Sequence, residues 1–135
     1  DLWASVDSCG FNPPITKNHP YQGPPMHWDV NFSLKKFFWT QGILYLNDVL
    51  KNQGAFTLVP GFHHRYDEWM KSLPDGVDPQ NEDLHALGSI PIAAESGDLI
   101  IWRDELPHSS SPNMTQSPRL VQYINYYHGK EVYEI

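Results

Sequence analysis

Cysteine, clustered cations and long apolar runs are what this sequence is short of, and each shortage removes a class of protein. The single cysteine, Cys9, cannot form an intrachain disulfide, so a reducing compartment such as the cytoplasm is the expected setting. Nine Lys and Arg stand against 16 Asp and Glu, a formal net charge of −7, and the closest basic residues are the pair Lys35 and Lys36. A nucleic acid or an anionic membrane surface needs a concentrated positive field, so neither is expected as a partner. No apolar stretch approaches the length of a membrane-spanning helix. The chain opens at Asp1 rather than Met, directly in strand-like sequence, and reads as part of a longer protein.

What is abundant is punctuation. Twelve prolines and nine glycines divide 135 residues into short apolar runs, the pattern of a mainly β sandwich or double-sheet jelly roll forming one domain over 1–135. Strands are expected over residues 2–6, 26–32, 42–49, 55–59, 90–93, 98–102 and 119–127. Residues 12–25 hold five prolines and must be loop, because proline fixes φ and removes a ladder donor. Residues 52–54 (NQG) read as a turn, and 74–82 as polar loop. The one helix is expected over 64–73 (HRYDEWMKSL), with Trp69 and Leu73 on one face and a proline just after it. Trp28, Trp39, Trp69 and Trp102 are expected in the core; Tyr45 could line a pocket, but a one-residue slip in register would reverse its face.

The chemistry centres on HWD at 27–29. On a strand, i and i+2 share a face, so His27 and Asp29 would aim an imidazole and a carboxylate at one point while Trp28 packs on the other side. Such a pair supplies two of the three ligands in a 2-His-1-carboxylate facial triad, which leaves open positions on Fe(II). His108, in LPHSSS just after a strand, is the best candidate for the third. Arg119 follows eleven positions later. A guanidinium pairs bidentately with a carboxylate, so an Arg beside the metal suits a dicarboxylate cosubstrate, and the Ser110 hydroxyl could share it. Arg119 could instead pair with an internal acid, and Ser110 sits in a serine run where a turn role fits equally well. His63 and His64 read as loop or cap residues; His19, His85 and His128 as surface or partly packed. Asp104 and Glu105 read as a solvated turn, with support of His108 a lesser role for Asp104.

With these residues in place the chain resembles the phytanoyl-CoA dioxygenase family. The resemblance lies in HWDVNF (27–32), QGILYLND (41–48), NQGAFTLVPGFH (52–63), GDLIIW (97–102), LPHSS (106–110) and PRLVQY (118–123), in matching order and spacing. It implies a double-stranded β-helix of cupin-like type, Fe(II) held by His27, Asp29 and His108, and 2-oxoglutarate held by Arg119 with help from Ser110. Family members are usually longer, with helices ahead of this core. The implied reaction is oxidative decarboxylation of 2-oxoglutarate to succinate and CO2, coupled to hydroxylation of a C–H bond in a small-molecule or acyl substrate, with ascorbate as a candidate reductant. Halogenating relatives lack the carboxylate, so Asp29 implies hydroxylation.

Two other functions fit parts of the pattern. One is a catalytically degenerate metal-binding β-sandwich that acts as a binding module. The other is a zinc hydrolase using the same ligands, but no HExxH helix is present and Arg119 would have no clear task there. Substrate identity and oligomeric state are not encoded in any motif found here.

Overall fold

The computed structural model describes residues 2–29 and 40–128. Its strands are β1 (Leu2–Asn12), β2 (Thr40–Tyr45), β3 (Phe56–Leu58), β4 (Ile90–Ile92), β5 (Leu99–Arg103), β6 (His108–Ser110) and β7 (Arg119–His128), with one α-helix, α1 (Tyr66–Ser72). All strand pairs are antiparallel. They form a four-stranded sheet in the order β1-β7-β2-β5 and a three-stranded sheet in the order β4-β3-β6. This is the expected mainly β, double-sheet architecture with one short helix. Among the described residues no helix is long and apolar enough to cross a membrane.

Period-two alternation decides what lies between the sheets. On β2, Ile43 and Tyr45 are fully buried; on β7, Arg119 and Val121 are buried while Leu120 between them is exposed. Tyr45 spans the two sheets. Its hydroxyl accepts the Phe56 N–H at 3.0 Å and donates to the Ile92 carbonyl at 3.4 Å. The phenol thus satisfies a β3 donor that would otherwise be buried without a partner. Phe56 stacks on Trp102 of β5, with ring centroids 4.4 Å apart. Tyr45 therefore acts as a spacer between the sheets.

Several boundaries differ from expectation for local reasons. The first strand continues past residue 6 to Asn12 through a bulge between Val6 and Cys9, which leaves Asp7 and Ser8 opposite Tyr123 alone. The Gln122 amide donates to the carbonyls of both Asp7 and Ser8, so the irregular backbone is satisfied. The strand expected over 42–49 ends at Tyr45, and Val49 pairs separately with Ala94. The expected turn at 52–54 places Gly54 at φ 68, and a Cβ there would meet Asn12 Nδ2 at 2.5 Å, so glycine is required. The helix begins two residues later than expected because a 3-10 turn, Phe62–His64, takes up its start. The loop at 74–82 contains a 3-10 turn, Pro79–Asn81, capped by the Asp78 carboxylate.

Within residues 26–29, the described part of the strand expected over 26–32, no continuous strand is formed. Residues 30–32 lie outside the described residues, as do Lys35, Lys36 and Trp39, and within 26–29 only His27 makes a bridge. The segment is held by a side chain instead. Gln80 donates to the Trp28 carbonyl at 2.8 Å and accepts the Trp28 N–H at 3.2 Å, copying a strand neighbour. Trp28 is buried against Phe62, Tyr66 and Trp69, so the face opposite His27 packs as expected.

Candidate metal and cosubstrate site

His27 and His108 are far apart in sequence but directly opposite in space. His27 N–H donates to the His108 carbonyl at 3.0 Å, and His108 N–H donates back at 2.8 Å. This reciprocal antiparallel bridge puts both imidazoles on one face, with centroids 4.8 Å apart. Asp29 completes the group. His27 Nε2 lies 3.2 Å from its Oδ1, and His108 Nε2 lies 3.3 Å from its Oδ2. The three ligand atoms fall within 4.8 Å of one another, close enough to hold one metal ion. His108 is buried against Trp102 and Phe56, whereas the Asp29 side chain is 45% exposed.

Backbone carbonyls choose the tautomers. His27 Nδ1 is 2.7 Å from the Pro25 carbonyl and His108 Nδ1 is 3.1 Å from the Leu106 carbonyl. A carbonyl only accepts, so each Nδ1 carries its hydrogen and each Nε2 of a neutral ring is left with a lone pair. Both lone pairs face carboxylate oxygens. Such a facing needs a cation between the partners, either a proton or a metal. The same contact favours the protonated alternative: the hydrogen bond to the Asp29 carboxylate raises His27 above its ordinary 6.5. Asp29 in turn is held far below the ordinary carboxylate range, by His108 first, then His27, with Gln41 adding to the effect against the penalty of burial. The chemistry of the donor set therefore fits a divalent transition metal.

Arg119 enters from β7 at the far side of the same region. It is 4% exposed; its Nη2 donates to the Tyr123 hydroxyl at 3.1 Å, and its charge also acts on the Tyr45 phenol. Its Nε and Nη1 are buried with no hydrogen-bond partner among the described residues. The expected alternative, pairing with an internal acid, does not occur among the described salt bridges. A cleft of about 230 Å³ holds the triad, and a cavity of about 330 Å³ holds Arg119; Pro24, Ser110 and Tyr123 line both. Ser110 is thus at the junction, its Oγ 3.3 Å from the Tyr21 hydroxyl, while Tyr21 also donates to the Ser110 carbonyl.

The turn expected at 106–110 is in part strand β6, and that strand is what delivers His108. Asp104 is buried rather than solvated, and the partner of His108 Nδ1 is the Leu106 carbonyl rather than Asp104. His63 and His64 stack on each other in the 3-10 turn, and His19 and His85 are exposed. Sequence reasoning passed over Tyr21, Tyr123 and Gln41. For Gln41 a signal existed: it is the one polar member of the inward series Gln41, Ile43, Tyr45, but only if the register is known. Gln41 Nε2 donates to Asp29 Oδ2 at 2.7 Å.

Comparison with known proteins bears on the family and the fold. The family described as Phytanoyl-CoA dioxygenase (PhyH) matches residues 8–121. A Dictyostelium discoideum protein named for the same dioxygenase is 28% identical over 89 residues, which cover 62% of this chain and 26% of that protein. The crystal structure of EvdMO1 superposes with a TM-score of 0.65 at 22% identity, covering 93% of this chain and 28% of that one. AviO1 from Streptomyces viridochromogenes Tue57 gives 0.63 at 20% identity, covering 93% and 52%. EvdO2 from Micromonospora carbonacea var. aurantiaca, complexed with 2-oxoglutarate, gives 0.61 at 18% identity, covering 93% and 51%. The chain spans about a quarter of the curated relative's length and a quarter to a half of these structures.

Proposed function

The chain belongs to the phytanoyl-CoA dioxygenase family, and on that premise we propose that it carries the reaction centre of a non-haem Fe(II), 2-oxoglutarate-dependent oxygenase that hydroxylates a C–H bond of a small-molecule substrate. The observation that supports this best is the junction itself. Two imidazole lone pairs facing a carboxylate share a wall with a buried guanidinium that has two nitrogens unmet among the described residues.

In this reading His27, Asp29 and His108 hold Fe(II), Arg119 holds the far carboxylate of 2-oxoglutarate, and the Ser110 and Tyr123 hydroxyls border that carboxylate. When bound, the iron supplies O2 activation coupled to decarboxylation of the cosubstrate. The chain's own part is placement and exclusion of water. Trp102 and Phe56 form an apolar wall behind His108, which keeps solvent from that ligand. Exposed Asp7 and Ser8, turned toward the cleft by the β1 bulge, give its outer rim polar contacts for a substrate. EvdO2 is recorded with 2-oxoglutarate, which is in keeping with the cosubstrate proposed here.

The presence of Asp29 points to hydroxylation rather than halogenation, because its carboxylate occupies a coordination position that a halide would need. The test supplies Fe(II), 2-oxoglutarate, O2 and a panel of candidate substrates, with and without chloride, and measures succinate and product mass. We expect succinate release coupled to a product heavier by one oxygen, without a chloride requirement, and loss of both in Asp29→Ala. A chlorinated product from the unaltered protein would overturn the assignment.

A further inference from the structure

Asp29 is the least supported of the three ligands by the backbone. His27 and His108 are fixed by their mutual bridge, whereas Asp29 lies in a bend with no ladder partner among the described residues and its side chain is 45% exposed. Something else must fix its carboxylate, and Gln41 of β2 is placed to do so. Its Nε2 donates to Asp29 Oδ2 at 2.7 Å, and its Oε1 accepts Trp102 Nε1–H at 3.1 Å. The two ends of a glutamine amide can exchange places, but not here. The indole N–H can only donate and an ionised carboxylate can only accept, so the oxygen must face Trp102 and the nitrogen must face Asp29. Trp102 is itself locked, 4% exposed, stacked on Phe56 and paired across β2–β5 with Gln41.

We infer that Gln41 is a positioning residue: an amide oriented by Trp102 that holds Asp29 Oδ2 and so presents the carboxylate in one orientation to the metal. The inference rests on the metal reading above and adds to it a residue outside the ligand set. Gln41 stabilises the ionised carboxylate by donating an N–H to it. It also removes one rotational freedom that metal binding would otherwise have to remove. Because Gln41 acts through Asp29, its loss should weaken the metal and leave the Arg119 cavity alone.

The test is an anaerobic titration with Co(II) as the probe, followed by its visible d–d absorption, on the unaltered protein, Gln41→Met and Gln41→Asn. Gln41→Met keeps the length and loses both hydrogen bonds. Gln41→Asn keeps an amide that is one methylene too short to reach from Trp102 to Asp29. Calorimetry of each metal-free variant shows which are folded, and 2-oxoglutarate affinity is then measured at saturating Co(II). We expect both variants to bind Co(II) about 10- to 100-fold more weakly, the range for loss of a partner to a metal ligand, with 2-oxoglutarate affinity unchanged at saturating metal. If the unaltered protein binds no Co(II), the metal reading falls and takes this inference with it. If it binds Co(II) and a folded variant binds equally well, the positioning role alone is overturned. A parallel loss of cosubstrate affinity in metal-saturated variants would also overturn it, since Gln41 would then be shaping the cleft as a whole.

Discussion

In one cleft His27, Asp29 and His108 satisfy one another; in the cavity that shares its wall, Arg119 is buried with two nitrogens that no described residue meets. The triad is partly exposed and complete without a guest, because protons can stand where a metal would. The guanidinium is almost wholly buried and short of acceptors. Burying an unpaired charged donor is unfavourable, and the guest proposed above, an anion with paired acceptor oxygens, would relieve it. On the proposed reading the two differ because protons can stand in for a cation at the triad, whereas no described residue stands in for a carboxylate at Arg119.

The comparison is sharpened most by Arg119→Met. Affinity for 2-oxoglutarate, by calorimetry at saturating metal, should fall at least about 30-fold, the lower end expected when one partner of a buried charge pair is removed. Metal affinity should be unchanged. The cosubstrate-free protein should at the same time become more stable to urea, by roughly 1 to 3 kcal/mol, because unsatisfied buried donors are replaced by apolar volume. A loss of stability would mean that Arg119 serves the fold rather than a guest.

The opposite sign is expected at the triad. His27→Ala in the metal-free protein should lose stability, by under about 1 kcal/mol because the pair is screened by solvent. The loss should depend on pH. Raising His27 above 6.5 means its contribution is present in full below that value and disappears as pH rises through the raised one. Asp29, depressed in the fold, contributes from above its unfolded value near 3.8. Urea midpoints of the two proteins should therefore differ at about pH 5.5 and converge at about pH 8.5. A difference that grows with pH would show that the pair is not the source.

Much of the site was legible in the sequence, but for uneven reasons. The i, i+2 spacing of His27 and Asp29, with Trp28 turned away, holds although residues 26–29 form no continuous strand, because Gln80 supplies a neighbour for Trp28. His108 was legible as a candidate, but not how it arrives. HSS has no apolar alternation, so β6 could not be seen, and the bridge to His27 is a long-range pairing. Tyr45 and Gln41 shared one ambiguity, the parity of β2, which only its pairing with β5 and β7 resolves. Asp104 was misplaced because a charged residue beside Glu105 reads as solvated, while the chain turn in fact carries it inward. The double-sheet architecture came through because period-two patterning and proline spacing are local signals, while sheet order is not.

On the proposed reading a metal triad and a cosubstrate guanidinium form one reaction centre across the wall their two pockets share. The most direct test of this reading is an anaerobic titration of the protein with Fe(II) and then 2-oxoglutarate, followed in the visible region. The account predicts a weak charge-transfer band that appears only when both are present, is absent in His108→Ala, and needs far more 2-oxoglutarate in Arg119→Met. No band in the unaltered protein at saturating Fe(II) and 2-oxoglutarate, or a band undiminished in His108→Ala, would contradict it.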